Sequence, residues 1–353
     1  MTGRIPVAVL GATGAVGQTF VRLLDGHPTF QVTEVAASER SADRRYGDIV
    51  HWHEGACPGD VADLTVLRAD PAMVKAPVVF SALDASVAGE VEAAFAAAGR
   101  VVLSNAKNHR MEADVPLVVS EVNAGHLDLL EVQKKNRGWD GAIVANANCA
   151  ATVMALALAP LHEAFGVRSV FATTLQAVSG AGYPGVASLD ILGNVIPEIA
   201  GEEEKIEQEL GKILGSLEGG RVIAASFPVS AHANRVAVEH GHTVCMSVGL
   251  DRPATPEEAR SVFESWRGAS VCAGLPSAPD RPVIVRSESD RPQARRDVDA
   301  GDGMSVVVGR IREDAILDLR LVVLGHNTVR GAAGGSILNG EIMVRLGMID
   351  SPS

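Results

Sequence analysis

Cys149 is the residue in this sequence whose type and setting most favour chemistry. It follows Ala145-Asn146-Ala147-Asn148 and leads into an apolar stretch, Ala150 to Leu161, that reads as a helix. A thiol at a helix N-terminus feels the dipole and the unpaired backbone N–H groups, and both favour thiolate. The same N–H groups can stabilise the oxyanion formed when sulfur attacks a carbonyl. A lone cysteine is more often a small buried apolar side chain. Its place at the seam between two differently patterned parts of the chain argues instead for a nucleophile. The other cysteines, Cys57, Cys245 and Cys272, are widely spaced with no Cys-x-x-Cys pair, against a structural zinc site or a disulfide framework.

A partner for the thiol is offered by Asn234-Arg235-Val-Ala-Val-Glu-His240-Gly-His242. His242 suits a general base toward the thiol and an acid toward the leaving group or oxyanion. If residues 235 to 238 are extended, Arg235 and Val236 face opposite ways and Arg235 can point into a cleft. A surface histidine and a His240/His242 metal pair are the duller readings. The metal pair lacks a third ligand at characteristic spacing apart from adjacent Glu239, so no metal is expected.

The elements that must position these groups begin with Ile5 to Leu10, a continuous apolar run that reads as a strand buried on both faces. Gly11-Ala-Thr13-Gly14-Ala15-Val16-Gly17 follows, then a helical pattern closed by Gly26 and Pro28. Glycines at the first strand-to-helix turn permit a tight turn and close backbone approach, so a dinucleotide pyrophosphate can rest on the helix N-terminus. After the next strand, residues 31 to 38, come Ser38-Glu39-Arg40-Ser41. Ser38, Arg40 and Ser41 suit a ribose 2′-phosphate and favour NADP; Glu39 would serve NAD, the other candidate cofactor. The bland alternative is a charged surface loop.

Apolar runs at 77 to 82 and 100 to 103, separated by a helix-like segment, continue the alternation to about Ile143-Val144-Ala145. Alternating strands and helices predict a doubly wound parallel sheet. Beyond residue 150 the pattern changes to a long helix and strands around 168 to 178, 221 to 229, 243 to 250 and 305 to 324, a mixed α+β second domain. Thr328 to Leu346 reads as a glycine-rich loop leading into a helix. The expected limits are a dinucleotide domain over 1–148, completed by a C-terminal helix in 329–353, and a catalytic and oligomerisation domain over 149–328. A net charge of −12 without a basic run argues against nucleic acid. Arg291, Arg295 and Arg296 are interleaved with Asp290, Asp297 and Asp299 and read as a solvated loop. The longest apolar stretch is about half the roughly 20 residues a membrane span needs, and the N-terminus shows no leader pattern, so no membrane association and a cytoplasmic location are expected.

Several motifs in order resemble the aspartate-β-semialdehyde dehydrogenase family, particularly its archaeal and fungal form. They are GATGAVG (11–17), SNAKNHRM (104–111), PLVVSEVN (116–123), NANC (146–149), LQAVSGAGYPGV (175–186), GEEEKIEQE (201–209), NRVAVEHGH (234–242) and HNTVRGAAGGSILN (326–339). The resemblance implies a Rossmann-like nucleotide domain and a glyceraldehyde-3-phosphate-dehydrogenase-like catalytic domain. It implies Cys149 as nucleophile, His242 as acid/base catalyst and Gln176 as the group that positions the thioester carbonyl. Arg235 would pair with the substrate α-carboxylate and Glu202 with its ammonium. Arg110, Asn148 and Lys205 would bind the acyl phosphate, and Asn327 would hold the nicotinamide amide. Glu202 and Lys205 are three apart and share a face if helical. A small-molecule substrate and a homodimer or homotetramer are implied too.

The chain departs from the family pattern at Ala147, usually proline; at Ala231-His232-Ala233, where small hydroxyl residues or cysteine are usual; at His240, commonly aspartate; and at Val244, commonly glutamate. Two other functions fit parts of the pattern: a paralogue using the same mechanism on another activated acid, such as an acyl-coenzyme A, and a non-catalytic dinucleotide-binding regulator. The regulator has no need for Cys149, His242, Gln176 and Arg235 together.

Overall fold

The computed structural model describes residues 3–350; residues 1–2 and 351–353, included in the expected domain limits, lie outside them. Strand β1 (Ile5–Leu10) has Val7, Val9 and Leu10 fully buried, as its unbroken apolar run requires of a central strand. It lies in a seven-stranded sheet with β2 (Phe30–Ala37), β3 (Val66–Arg68), β4 (Val78–Ser81), β5 (Val101–Ser104), β6 (Leu117–Val118) and β7 (Ala142–Asn146). All pairings are parallel and the order is β3-β2-β1-β4-β5-β7-β6. The order reverses between β1 and β4, and the crevice there is where doubly wound sheets bind ligands. The expected doubly wound architecture is present. Its short strands β3 and β6 carry no signal in the sequence.

Two glycines of the loop after β1 are required by space. Gly11 has φ +71°, and a Cβ there would lie 2.5 Å from the Ala82 carbonyl oxygen at the end of β4. A Cβ on Gly17 would lie 2.2 Å from the Gly11 carbonyl oxygen, so the helix Ala15–Leu24 could not dock on its own loop.

Beyond β7 the helix Cys149–Phe165 is buried along most of its length and packs on β8 (Val167–Gln176), β12 (His242–Leu250) and β15 (Leu319–Gly325). Those strands belong to a six-stranded mixed sheet, β11-β8-β12-β15-β14-β13, completed by β11 (Val229–Arg235), β13 (Val283–Val285) and β14 (Val306–Glu313). Four expectations change here. The strand placed at 221–229 is two elements: β10 (Arg221–Ile223) forms a hairpin with β9 (Ser216–Glu218), and the sheet strand is β11. β11 stops at Arg235, so the extended backbone precedes that residue instead of following it. The strand placed at 305–324 is the antiparallel pair β14 and β15. The loop around Arg291 is also not merely solvated. Arg291 Nε donates to Asp297 at 2.6 Å and Arg286 Nε at 3.2 Å, and Asp297 is buried.

The C-terminal segment closes the first sheet. Val329–Ala333 is a π-helical turn running straight into the helix Gly334–Arg345, where the sequence suggested a loop. Gly340 lets this helix approach Leu103 of β5 and Phe30 of β2. Arg330 and Glu121 form a two-bond ion pair with side chains 1% and 0% exposed, tying the π turn to the segment after β6. Removing one charge of a buried pair strands the other, at about 3–5 kcal/mol. Glu121→Gln should therefore lower the thermal unfolding midpoint markedly; an unchanged midpoint would show that the pair does not anchor the segment.

Candidate active site

Asn148 is the N-cap of the Cys149 helix. Its Oδ1 accepts from the amides of Ala150 (2.9 Å) and Ala151 (3.0 Å). The sequence left both amides free for an oxyanion; the cap takes them. Cys149 is partly exposed on the wall of a cavity of about 1220 Å³. The same cavity is lined by Gly11, Thr13, Gly14, Ala15 and Val16, so one continuous space joins the glycine loop to the thiol.

His242 begins β12 and is fully buried, its Nε2 3.1 Å from Cys149 Sγ. On the other side of the ring, the Ala177 amide donates to Nδ1 at 3.2 Å. A nitrogen that accepts from a backbone N–H carries no proton, so the ring is the neutral tautomer with its proton on Nε2, directed at the sulfur. Burial pushes His242 down to about 3 and the Cys149 thiol up to about 12, the latter despite the Arg110 and Arg235 charges and an amide bond. His240 points elsewhere: its Nδ1 meets Ser179 Oγ at 3.1 Å and its ring stacks on His326, so the two histidines do not form a metal pair.

Arg235, at the end of β11, lies next to Gln176, its register partner at the end of β8. Both are buried, and both line the cavity with Arg110, Asn148, Cys149, Glu202 and Lys205. Arg235 donates one N–H to the Ala177 carbonyl at 2.8 Å. Glu202, first residue of the helix Glu202–Ile213, accepts from Asn148 Nδ2 (2.8 Å), Gln176 Nε2 (3.2 Å) and Lys205 Nζ (3.1 Å). Burial would raise its pKa, but these donors outweigh burial and hold it below the usual carboxylate value. Arg110 is 8% exposed, bonded to Glu209 and to the Asn105 carbonyl, and its Nε is buried without a partner. All the residues expected around the thiol are thus brought together. Three cations, Arg110, Lys205 and Arg235, stand against Glu202 in the lining near Cys149, which suits an anionic ligand.

At the far end of the cavity Ser38 and Glu39 are in the lining, and Arg40 and Ser41 are not. Arg68, at the end of β3 and in register with Ala37 of β2, lines it instead. Gly17 acts through packing alone. Asn327 is outside the lining: its Oδ1 accepts from the Gly241 amide (2.9 Å) and its Nδ2 donates to Ser179 Oγ (2.8 Å). It fixes the loop that carries Gly180. A Cβ on Gly180 would lie 2.9 Å from Arg235 and 3.1 Å from His242, and one on Gly331 would lie 2.6 Å from the Cys149 Cβ. Gly331 lies in the glycine-rich segment 328–346 that the sequence marked for close approach, whereas Gly180, Arg68 and Glu209 were not marked. Glycine in SGAGYPG was the visible signal for Gly180.

A neutral thiol beside a neutral imidazole gives a specific pH behaviour. Without cofactor, Cys149 alkylation by iodoacetamide should accelerate through one titration on the alkaline side, with no step from His242 between about pH 5 and 8. Fast, pH-independent labelling across that range would indicate a standing thiolate–imidazolium pair and contradict the tautomer.

Residues 6–130 match the family described as semialdehyde dehydrogenase, NAD binding domain, and residues 158–330 match its dimerisation domain. An aspartate-semialdehyde dehydrogenase of Archaeoglobus fulgidus is 52% identical over 97% of this chain and 98% of its own length. A Candida albicans aspartate semialdehyde dehydrogenase crystallised with NADP superposes with a TM-score of 0.90 at 42% identity, covering 98% of this chain and 99% of that one. The Vibrio cholerae aspartate semialdehyde dehydrogenase II complexed with ASA gives 0.77 at 25% identity over 98% and 99%. With 52% identity over 97% of its length, and with both the NAD binding and the dimerisation domain matched, the chain belongs to the aspartate-semialdehyde dehydrogenases.

Proposed function

We propose that the chain catalyses the reversible, NADP-dependent reductive dephosphorylation of L-aspartyl-4-phosphate to L-aspartate-4-semialdehyde through a thioester on Cys149. The observation that carries this reading is the 3.1 Å contact of Cys149 Sγ with His242 Nε2, at a helix N-terminus, in the cavity that continues to the glycine loop. The nucleotide domain is taken as residues 1–148 with the C-terminal helix, and the catalytic domain as 149–328.

The residues present fit the two groups the reaction needs. Gly11, Thr13, Gly14, Ala15 and Val16 line the cavity, and the helix beginning at Ala15 directs its N-terminus at a pyrophosphate. Ser38 and Arg68 face the ribose end and suit a 2′-phosphate, with Arg40 one residue beyond the lining. Arg110 has a buried Nε–H without a partner, and with Lys205 it suits the acyl phosphate. Arg235 pairs with the α-carboxylate and Glu202 takes the ammonium, displacing Lys205 toward phosphate.

Sγ attacks the acyl carbon, the C–O bond to phosphate breaks, and the thiol proton leaves with the phosphate. Gln176 Nε2 and the His242 Nε2–H are the donors for the oxyanion, in place of the amides consumed by Asn148. A bound nicotinamide supplies the hydride that the thioester carbonyl accepts. When the hemithioacetal collapses, the C–S bond breaks to give the aldehyde, the His242 Nε2–H hydrogen-bonds the departing thiolate, and a proton from solvent restores the thiol. The covalent step divides one high barrier into two lower ones. A homodimer built on the second sheet accords with the dimerisation-domain match and with the exposure of Phe171 and Cys245 on that sheet.

The test runs in the oxidative direction with aspartate semialdehyde, phosphate and NADP. Wild type should turn over only when phosphate is present, with NADP reduction limited to about one equivalent per enzyme without it, and should prefer aspartate semialdehyde to succinate semialdehyde, which lacks the ammonium. Cys149→Ala should lose more than about 10³-fold in kcat while binding NADP normally. Residual activity within tenfold of wild type would remove Cys149 from the mechanism, and preference for succinate semialdehyde would replace the substrate.

A further inference from the structure

Glu202, Lys205, Glu209 and Lys212 occupy spacings of three, four and three on one helix and so form a single stripe facing the cleft. The first two belong to the substrate site. Glu209 is 2% exposed and touches no space a substrate could enter. Its two oxygens are divided between two parts of the site: Oε2 accepts the backbone N–H of Asn148 at 2.6 Å, and Oε1 accepts Arg110 at 2.9 Å. Lys212, one turn further on, donates its ammonium to the carbonyls of Arg110 (2.7 Å), Glu112 (2.7 Å) and Val115 (2.8 Å). The Arg110 residue is therefore held at both its side chain and its backbone by one helix of the other half of the molecule.

We propose that Glu209 is a positioning residue that fixes the distance between the nucleophile and the phosphate-binding guanidinium. Asn148 caps the Cys149 helix with its side chain, so its backbone amide is a handle on the thiol. Arg110 lines the cavity with an unpartnered Nε–H, so its terminal nitrogen is a handle on the anion site. One rigid carboxylate holding both handles sets sulfur and phosphate apart by the separation an acyl phosphate spans, and shields part of the Arg110 charge so that phosphate can leave. The inference rests on the phosphate chemistry proposed above. It does not depend on the identity of the acyl group.

Glu209→Gln keeps the shape, but its amide has one acceptor oxygen and one NH₂, so either Asn148 or Arg110 must face a donor. A tie that merely held the two domains together would lower the unfolding midpoint and leave the folded sites unchanged. The measurement is therefore made well below the midpoint and normalised to Cys149 sites titrated by iodoacetamide. Inorganic phosphate should protect Cys149 of the parent from iodoacetamide, and the protection constant should weaken at least about fivefold in Glu209→Gln. kcat/KM for phosphate should fall by at least the same factor, with NADP affinity within about twofold of the parent. If the glutamine variant does not fold, Glu209→Asp, which keeps the charge and withdraws it by one methylene, is held to the same limits. Smaller changes in both readouts, or no phosphate protection in the parent, overturn the proposal. A parent that shows protection but does not oxidise aspartate semialdehyde overturns the reaction assignment and leaves Glu209 to be judged on protection alone.

Discussion

The site is organised around the space between Cys149 Sγ and His242 Nε2, which are 3.1 Å apart although 93 residues separate them in the chain. One atom belongs to a helix N-terminus, the other to the first residue of β12, and the two elements meet only because the helix lies along the second sheet. Bringing backbone this close to the pair leaves no room for side chains on two approaching segments. Gly180 passes over Arg235 and His242, and Gly331 passes against the Cys149 backbone. The buried Arg330–Glu121 pair holds the second of these segments against the first sheet. The glycines at these turns therefore follow from the chemistry as much as from chain reversal.

Electrostatics decides the resting state of that contact. Desolvation opposes both ions of a thiolate–imidazolium pair, and the Ala177 amide opposes imidazolium a second time by occupying the lone pair on Nδ1. The helix dipole and the two arginines pull the other way but do not prevail in the free cavity. A resting neutral pair is chemically sensible for a thiol that must not react before its acyl donor arrives. It also gives His242 a consistent task, donation from Nε2 toward sulfur or an oxyanion, in place of the general-base role its residue type first suggests.

Much of this was legible in the sequence, and the boundary is a physical one. Continuous apolar runs gave β1, β4, β5 and β7, because strands buried on both faces leave no other pattern. The helix after Cys149 was visible as a long apolar run, but its Asn148 cap was not read, and the amides the cap takes were left free. β3 and β6 were not visible, being too short for periodicity to register. The 221–229 segment misled because the apolar residues of the hairpin strand β10 and of the irregular segment before β11 run on almost unbroken in the sequence. Side-chain roles set by distant partners were the least readable. Glu209 sat inside a quoted motif, in a run of charges that normally means a solvated helix face, and only its 2.6 Å bond to Asn148 distinguishes it. Arg68 and Arg40 are equally basic, and only the pairing of β2 with β3 brings Arg68 to the cavity.

The central claim, that the reaction passes through a covalent bond to Cys149, is tested most directly by isolating that bond. Enzyme mixed with aspartate semialdehyde and NADP without phosphate, then quenched in acid and digested, should yield the peptide containing Cys149 with one added aspartyl group. The adduct should disappear when phosphate is supplied before the quench, because phosphate releases the acyl group. NADP reduced in an amount stoichiometric with enzyme, with no modified Cys149 peptide, would contradict the account.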